Sequence, residues 1–249
     1  MPVLIQMFRE LEAAQSSAEL SCAVERLTRQ MGFERFVYAL TIRTPSIKPQ
    51  EYLLSGYPPE WIKRYVAGNY FAIDPVVRQA QSSTLPILWS EDASQPRAVG
   101  DFWEEARSFG LAAGLSVSVH EQPGITGIFS VSRDKAIDLE GQDLAALIGR
   151  AQMLSSVLHH AVFRIDMPKL LLPEGSALLT IRERECLKWA AEGKTAWETG
   201  QILGIAERTA VFHVNNVIQK LGATNKTQAI VRALALRSCS ARAAREPCS

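Results

Sequence analysis

In GYPPEWIKRYVAGNYFAIDPVV, Tyr57, Trp61 and Tyr65 recur every fourth residue and so share one helix-side stripe. Asp74 follows, and Trp89 sits in LPILW. Aromatic walls with one acid and a few hydroxyls describe a small-molecule pocket. The same residues also suit plain core packing, the usual fate of an aromatic stripe, and Asp74 before Pro75 suits a helix cap. Spacing leaves both readings open. A second group lies in ILGIAERTAVFHVNNVIQKLGATNKTQA, residues 202–229. Ala210, Val214, Val217, Ile218 and Leu221 mark one helix face; Arg208, Thr209, Val211, Asn215, Asn216, Gln219 and Lys220 mark the other. Asparagine can pair two ways with adenine and arginine with guanine, while lysine and first-turn amides can hold phosphate. A solvated face on an ordinary helical bundle would carry similar residues.

Elements must position these groups. AELSCAVERLTRQMGF has helical spacing at Leu20, Val24, Leu27 and Met31. FVYALTI and EYLLS read as strands. PPEWIKRYVAG starts in proline and ends in glycine, the asymmetry of a helix. DPVVRQAQ is a short helix, LPILWS a short strand, and GDFWEEARSFG an amphipathic helix. LSVSVHE and TGIFSVSR alternate in period two across Gln-Pro-Gly, a hairpin signal. A long helix, about LEGQDLAALIGRAQMLSSVLHHAVF, follows. Helices on either side of a mainly antiparallel sheet give an α/β/α sandwich over residues 1–164. RIDMPKLLLPEGSA, with two prolines, a glycine and no periodicity, marks a linker at 165–177.

Residues 178–238 then read as a small all-α domain of four helices, so the whole chain is α+β. Thr180–Glu183, Thr195–Glu198 and Asn225–Gln228 are written as capping boxes. Gly193 and Gly204 end the first two helices, and the short turn before the third fits a helix-turn-helix. A cationic, amide-rich face on the second helix of that unit suits a DNA major groove. The tail 239–249 lacks an apolar face and is expected to fray.

Charge divides with the domains. Residues 1–176 hold 16 Lys and Arg against 20 Asp and Glu, a net −4, whereas residues 177–249 hold 11 against 6, a net +5. An anionic partner is therefore expected at one end only. The chain is 47% hydrophobic, which favours packed domains over disorder. Cys22, Cys186, Cys239 and Cys248 form no CxxC pair. MPVLIQMFRELEAA lacks the cationic start and long apolar core of a signal peptide, and no run approaches about 20 apolar residues. A cytoplasmic protein with reduced thiols and no membrane association is expected.

The segment LTIRERECLKWAAEGKTAWETGQILGIAERTAVFHVNNVIQKLGATNKTQA strongly resembles the DNA-binding domain of LuxR-type regulators. Thr-x-Arg-Glu-x-Glu, Gly-Lys-Thr and Glu-Arg-Thr…Phe-His-Val-Asn-Asn…Lys-Leu-Gly-Ala stand in order. Residues 20–160 resemble the autoinducer-binding domain of the same proteins, matching its hallmarks at Trp61, Tyr65, Asp74, Pro75, Trp89 and Gly114. The resemblance implies quorum sensing through an N-acyl-homoserine lactone. Asp74 would accept the ligand amide N–H, Trp61 would donate to the lactone carbonyl, and Tyr57 and Ser130 would bond the acyl carbonyl. Tyr65 and Trp89 would wall the pocket. Phe36, Tyr38, Leu40, Leu53, Val76 and Leu115 are further lining candidates, though each suits plain core better. Gly114 would permit close approach. The DNA-contacting set is Thr195, Arg208, Thr209, Val211, Asn215, Asn216 and Lys220. The implied partners are the lactone, double-stranded promoter DNA, a second copy of the chain and RNA polymerase. No metal or cofactor is expected.

Four positions depart from the family pattern. Ala206 stands where a serine cap is usual, which leaves the third helix about 1 kcal/mol less supported. Thr199 puts a hydroxyl on an expected core face, and Ala210 removes packing volume. Val211 stands at an often polar base-facing position and could touch a thymine methyl. Two other classes fit poorly. A phosphorylated receiver needs an alternating βα pattern with an acidic cluster. An esterase or lactonase needs a nucleophile elbow, and there is no G-x-S-x-G. His120, His159, His160 and His213 have no metal-ligand spacing.

Overall fold

The structure is a computed structural model that describes residues 2–43, 49–89, 97–122, 124–135, 144–167, 170 and 179–235. The expected tail, Cys239, Cys248, Pro123 of the hairpin turn, the start of the long helix and most of the linker lie outside them. Two compact units divide near residue 161 and are described separately.

The first unit is built on one antiparallel sheet of order β2-β1-β5-β4-β3. Its strands are β1 (Arg35–Ile42), β2 (Gln50–Ser55), β3 (Ile87–Leu88), β4 (Ala113–Gln122) and β5 (Ile125–Arg133). The helices are α1 (Pro2–Ala13), α2 (Ser17–Gln30), α3 (Pro59–Ala67), α4 (Pro75–Ala80), α5 (Arg97–Ser108) and α6 (Leu144–Ile165), with a 3₁₀ turn at Tyr70–Ala72. Helix α1 and the 3₁₀ turn are additions to the elements read from sequence. Because strand side chains alternate, each strand serves two faces. Phe36, Tyr38, Leu40 and Ile42 of β1 are buried, and α2 packs against this strand. Helix α6 meets the same face through His159, whose Nδ1 lies 2.6 Å from Tyr38 Oη. The opposite face carries Val37, Ala39, Thr126, Ile128 and Ser130, which line a cavity together with residues of α3, α4 and α5.

Helix α6 ends at Ile165, the first residue of the expected linker, and Met167 beyond it is buried. Val162, Phe163 and Ile165 at its end are buried.

The second unit contains α7 (Ile181–Ala191), α8 (Ala196–Leu203), α9 (Glu207–Lys220) and α10 (Lys226–Ala235). Thr180–Glu183 and Thr195–Glu198 are complete capping boxes, each satisfying two first-turn donors reciprocally. The third differs. Asn225 Oδ1 accepts from Gln228 N at 2.9 Å, but Gln228 Oε1 reaches back to Thr224 N rather than to Asn225 N. The α8–α9 turn depends on Gly200, where an added Cβ would lie 2.7 Å from the Ile205 carbonyl. Gly204 then closes α8 at φ 67°, a left-handed value that glycine adopts without cost.

Ala206 gives α9 no side-chain cap. Ala206→Ser is therefore expected to stabilise this unit by about 1 kcal/mol. Slower amide exchange in the first turn of α9 would register the gain; unchanged exchange would mean that another group already holds those donors.

Candidate functional site

The cavity on the open face of the sheet measures about 630 Å³. Asp74 enters it from the N-cap of α4, where Pro75 at the first helical position needs no N–H partner. Asp74 Oδ1 accepts from Val76 N at 2.8 Å and Val77 N at 3.4 Å, and Tyr65 Oη donates to Oδ2 at 2.8 Å. Desolvation raises the Asp74 pKa, while Tyr65 and the two amides pull the other way. Burial and the neighbouring Asp74 charge raise that of Tyr65, which stays a protonated donor. The carboxylate is thus oriented by three donors and retains lone pairs for a further N–H.

Trp61 on α3 is 3% exposed and packs edge-on to Tyr65, with ring centroids 5.9 Å apart at 70°. Tyr70 and Glu105 join this wall: the Tyr70 hydroxyl and Arg64 guanidinium both donate to the Glu105 carboxylate, tying the 3₁₀ turn, α3 and α5 together. Tyr57 Oη and Ser132 Oγ are buried near one another, yet neither has a hydrogen-bond partner of ordinary geometry among the described residues. Burial pushes the Tyr57 pKa well above the usual phenol range, so it too remains a donor. A buried unpaired hydroxyl is costly, and a ligand acceptor would relieve it.

Trp89 lies over Gly114, where an added Cβ would fall 2.5 Å from the indole ring. Its Nε1 donates to Ser116 Oγ at 2.8 Å, and Ser116 Oγ is 2.7 Å from Ser130 Oγ. Gly114→Ala must push the indole aside. Overpacking of this kind costs about 1–3 kcal/mol. A lower melting temperature together with roughly tenfold or greater loss of ligand affinity is expected; calorimetry showing wild-type values for both would refute the close approach.

All six ligand residues expected from sequence, Tyr57, Trp61, Tyr65, Asp74, Trp89 and Ser130, line this one cavity. Of the further candidates, Leu40, Leu53 and Val76 line it. Phe36, Tyr38 and Leu115 do not and are fully buried, although Leu40, on the same side of β1 as Phe36 and Tyr38, reaches the cavity. Sequence reasoning missed Phe102, Trp103, Ala106 and Leu111, although Phe102, Trp103 and Ala106 form the apolar stripe of α5. It also missed the rim. Leu53, Val66 and Phe71 are 50%, 73% and 36% exposed, and the Arg43 guanidinium sits 5.6 Å over the Phe71 ring.

In the second unit, α9 exposes Arg208, Val211, Asn215 and Gln219 along one face. Thr209 and Asn216 are half-buried at its margins, and Thr195 is exposed at the α8 cap. Phe212, 60% exposed on the same helix, was overlooked. Its apolar character hid it from a search for polar groups. Thr199 and Ala210 are buried as expected. Lys220 is half-buried at the end of α9, and its Nζ donates to the largely buried Glu183 Oε2 at 2.8 Å. Burial would raise the Glu183 pKa, but Lys220 and the Thr180 donors outweigh it and lower it. The pair ties the C-terminal end of α9 to the start of α7.

Among the described residues, no group of three His, Cys, Asp or Glu is placed to hold a metal, and no helix is long and apolar enough to cross a membrane.

This pairing of an acid-and-aromatic cavity with a helix-turn-helix defines a ligand-responsive regulator, and comparison with known proteins gives the family. Residues 16–162 match the family described as Autoinducer binding domain, and residues 177–233 match Bacterial regulatory proteins, luxR family. The chain belongs to the LuxR family of quorum-sensing transcriptional regulators and is not an enzyme. It is 39% identical over 229 residues to Transcriptional activator protein SolR of Ralstonia nicotianae, covering 92% of this chain and 95% of SolR. Among solved structures, Escherichia coli SdiA matches with TM-score 0.71 and 27% identity, covering 95% of this chain and 97% of SdiA. A second SdiA structure, a complex with octanoyl-rac-glycerol, matches with TM-score 0.71 and 27% identity over 94% of this chain and 93% of that one. CepR2 of Burkholderia cenocepacia, described as N-acylhomoserine lactone dependent, matches with TM-score 0.54 and 26% identity over 68% of this chain and 96% of that one.

Proposed function

We propose that the cavity binds an N-acyl-homoserine lactone and that the protein, as a homodimer in the cytoplasm, then binds near-palindromic promoter DNA and regulates transcription with RNA polymerase. One observation carries this reading: a carboxylate acceptor oriented by three donors faces the same cavity as an unpaired buried phenol. A secondary amide presents the complementary N–H and C=O on one planar group. Asp74 takes the N–H, Tyr57 and Ser130 the acyl carbonyl, and Trp61 the lactone carbonyl. Tyr65 and Trp89 wall the site, and the acyl chain runs toward the apolar rim. Residues 1–164 sense and dimerise, and residues 178–238 place α9 in the major groove, with Thr195, Arg208, Thr209, Val211, Asn215, Asn216 and Lys220 nearest the DNA. The two recognition helices of a dimer then meet half-sites one helical turn apart.

SdiA with octanoyl-rac-glycerol supports a second reading, in which an acyl chain on a different polar head fills the cavity. Extraction of the protein after expression with both ligands present decides between them. A lactone recovered near one per chain, with lactone-dependent enrichment of an inverted repeat from a random duplex pool, supports the proposal. Recovery of the acylglycerol alone supports the second reading. A protein that carries neither, or that enriches the same DNA without ligand, overturns both.

A further inference from the structure

The indole N–H of Trp89 and the hydroxyls of Ser116 and Ser130 form a chain from one cavity wall across two strands. Ser116 is fully buried and does not line the cavity, whereas Ser130 does. The two serines are direct cross-strand partners in the β4–β5 register, so the sheet itself fixes their approach.

Counting protons gives the chain a direction. An indole N–H can only donate, so Ser116 Oγ accepts from Trp89. If Ser130 also donated to Ser116, the Ser116 hydrogen would be left in a fully buried site with no acceptor among the described residues. The satisfied arrangement has Ser116 donating to Ser130. The Ser130 hydrogen is then released from the strand pair and is free to point into the cavity that Ser130 lines. Tyr57 Oη, also buried and unpartnered, faces the same cavity.

We propose that Ser116 is a positioning residue that, held by Trp89, orients Ser130 so that its hydrogen is free to donate to a ligand carbonyl. This rests on the amide-binding reading above and adds a residue that touches no ligand. Replacing Ser116 with alanine removes the donor that holds the Ser130 oxygen, and the Ser130 hydroxyl then loses its fixed orientation toward the ligand. The effect passes entirely through Ser130.

A double-mutant cycle tests this in the full-length protein, with N-octanoyl-, N-decanoyl- and N-dodecanoyl-homoserine lactone as probes. Ser116→Ala is expected to weaken binding about tenfold and Ser130→Ala by at least as much, but the double variant should bind no worse than Ser130→Ala alone. Ser116→Thr, which keeps the hydroxyl on a β-branched side chain suited to a strand, should stay within about twofold of wild type. Losses that multiply, or wild-type binding by Ser116→Ala, overturn the proposal. The Trp89 indole proton in the ligand-free protein gives an independent reading by NMR: its resonance should move in Ser116→Ala and hold in Ser116→Thr. A resonance unmoved by Ser116→Ala overturns the relay. If the wild type binds no lactone, the amide-binding reading fails, and the indole resonance alone decides the relay.

Discussion

Asp74→Asn is expected to abolish the lactone-dependent rise in melting temperature while leaving the protein folded. Asparagine caps a helix as well as aspartate does, so α4 keeps its start. What is lost is the charged acceptor facing the cavity. A hydrogen bond to a charged group contributes about 1.5–3 kcal/mol, or roughly ten- to a hundredfold in affinity. The amide can also turn an N–H toward the ligand N–H, which adds to the loss. The ligand-free proteins should differ in pH dependence as well. Because desolvation raises the Asp74 pKa, its contribution to stability is fully present below the ordinary aspartate value, about 3.9. It is lost as pH rises through the raised folded value. Asp74→Asn removes that loss. Thermal melts across pH, with and without lactone, read both effects; an intact lactone response in the variant would remove Asp74 from the site.

The opposite behaviour is expected of Asn215→Ala. Asn215 is exposed on α9 and makes no side-chain hydrogen bond among the described residues, so folding should barely register its removal. Lactone affinity should match wild type. Discrimination between the selected inverted repeat and a scrambled duplex should fall by about 1–3 kcal/mol, the contribution of a good bidentate base contact. Lys220→Ala should behave differently, since it leaves Glu183 buried without its cation. Mobility shifts on the two duplexes give the comparison for Asn215→Ala. Unchanged discrimination would mean that another face of α9 meets the bases.

These expectations draw on features of unequal legibility. The two complete capping boxes were readable because each is a local pattern four residues long, with both partners in one turn. The β4–β5 hairpin was readable from its alternation. Helix α5 showed its stripe, yet nothing local said that Phe102 and Trp103 close the cavity from the far side. Phe36 and Tyr38 show the limit of composition: period two says that alternate residues part company, but only the packed sheet says which face borders the cavity. The Ser116–Ser130 pair depends on strand register, and Lys220–Glu183 joins residues 37 apart through tertiary packing.

An acyl-homoserine lactone is proposed to fill the cavity lined by Trp61 and Asp74. The most direct measurement is the melting temperature of the purified full-length protein against a series of lactones of increasing acyl length, with lactone-free protein as reference. Ligand that binds only the folded state stabilises it by mass action, about 2.7 kcal/mol at a hundred times its Kd. A rise of several degrees is expected, peaking at one chain length and vanishing in Asp74→Asn. No rise with any lactone, or an equal rise in Asp74→Asn, would contradict the proposal.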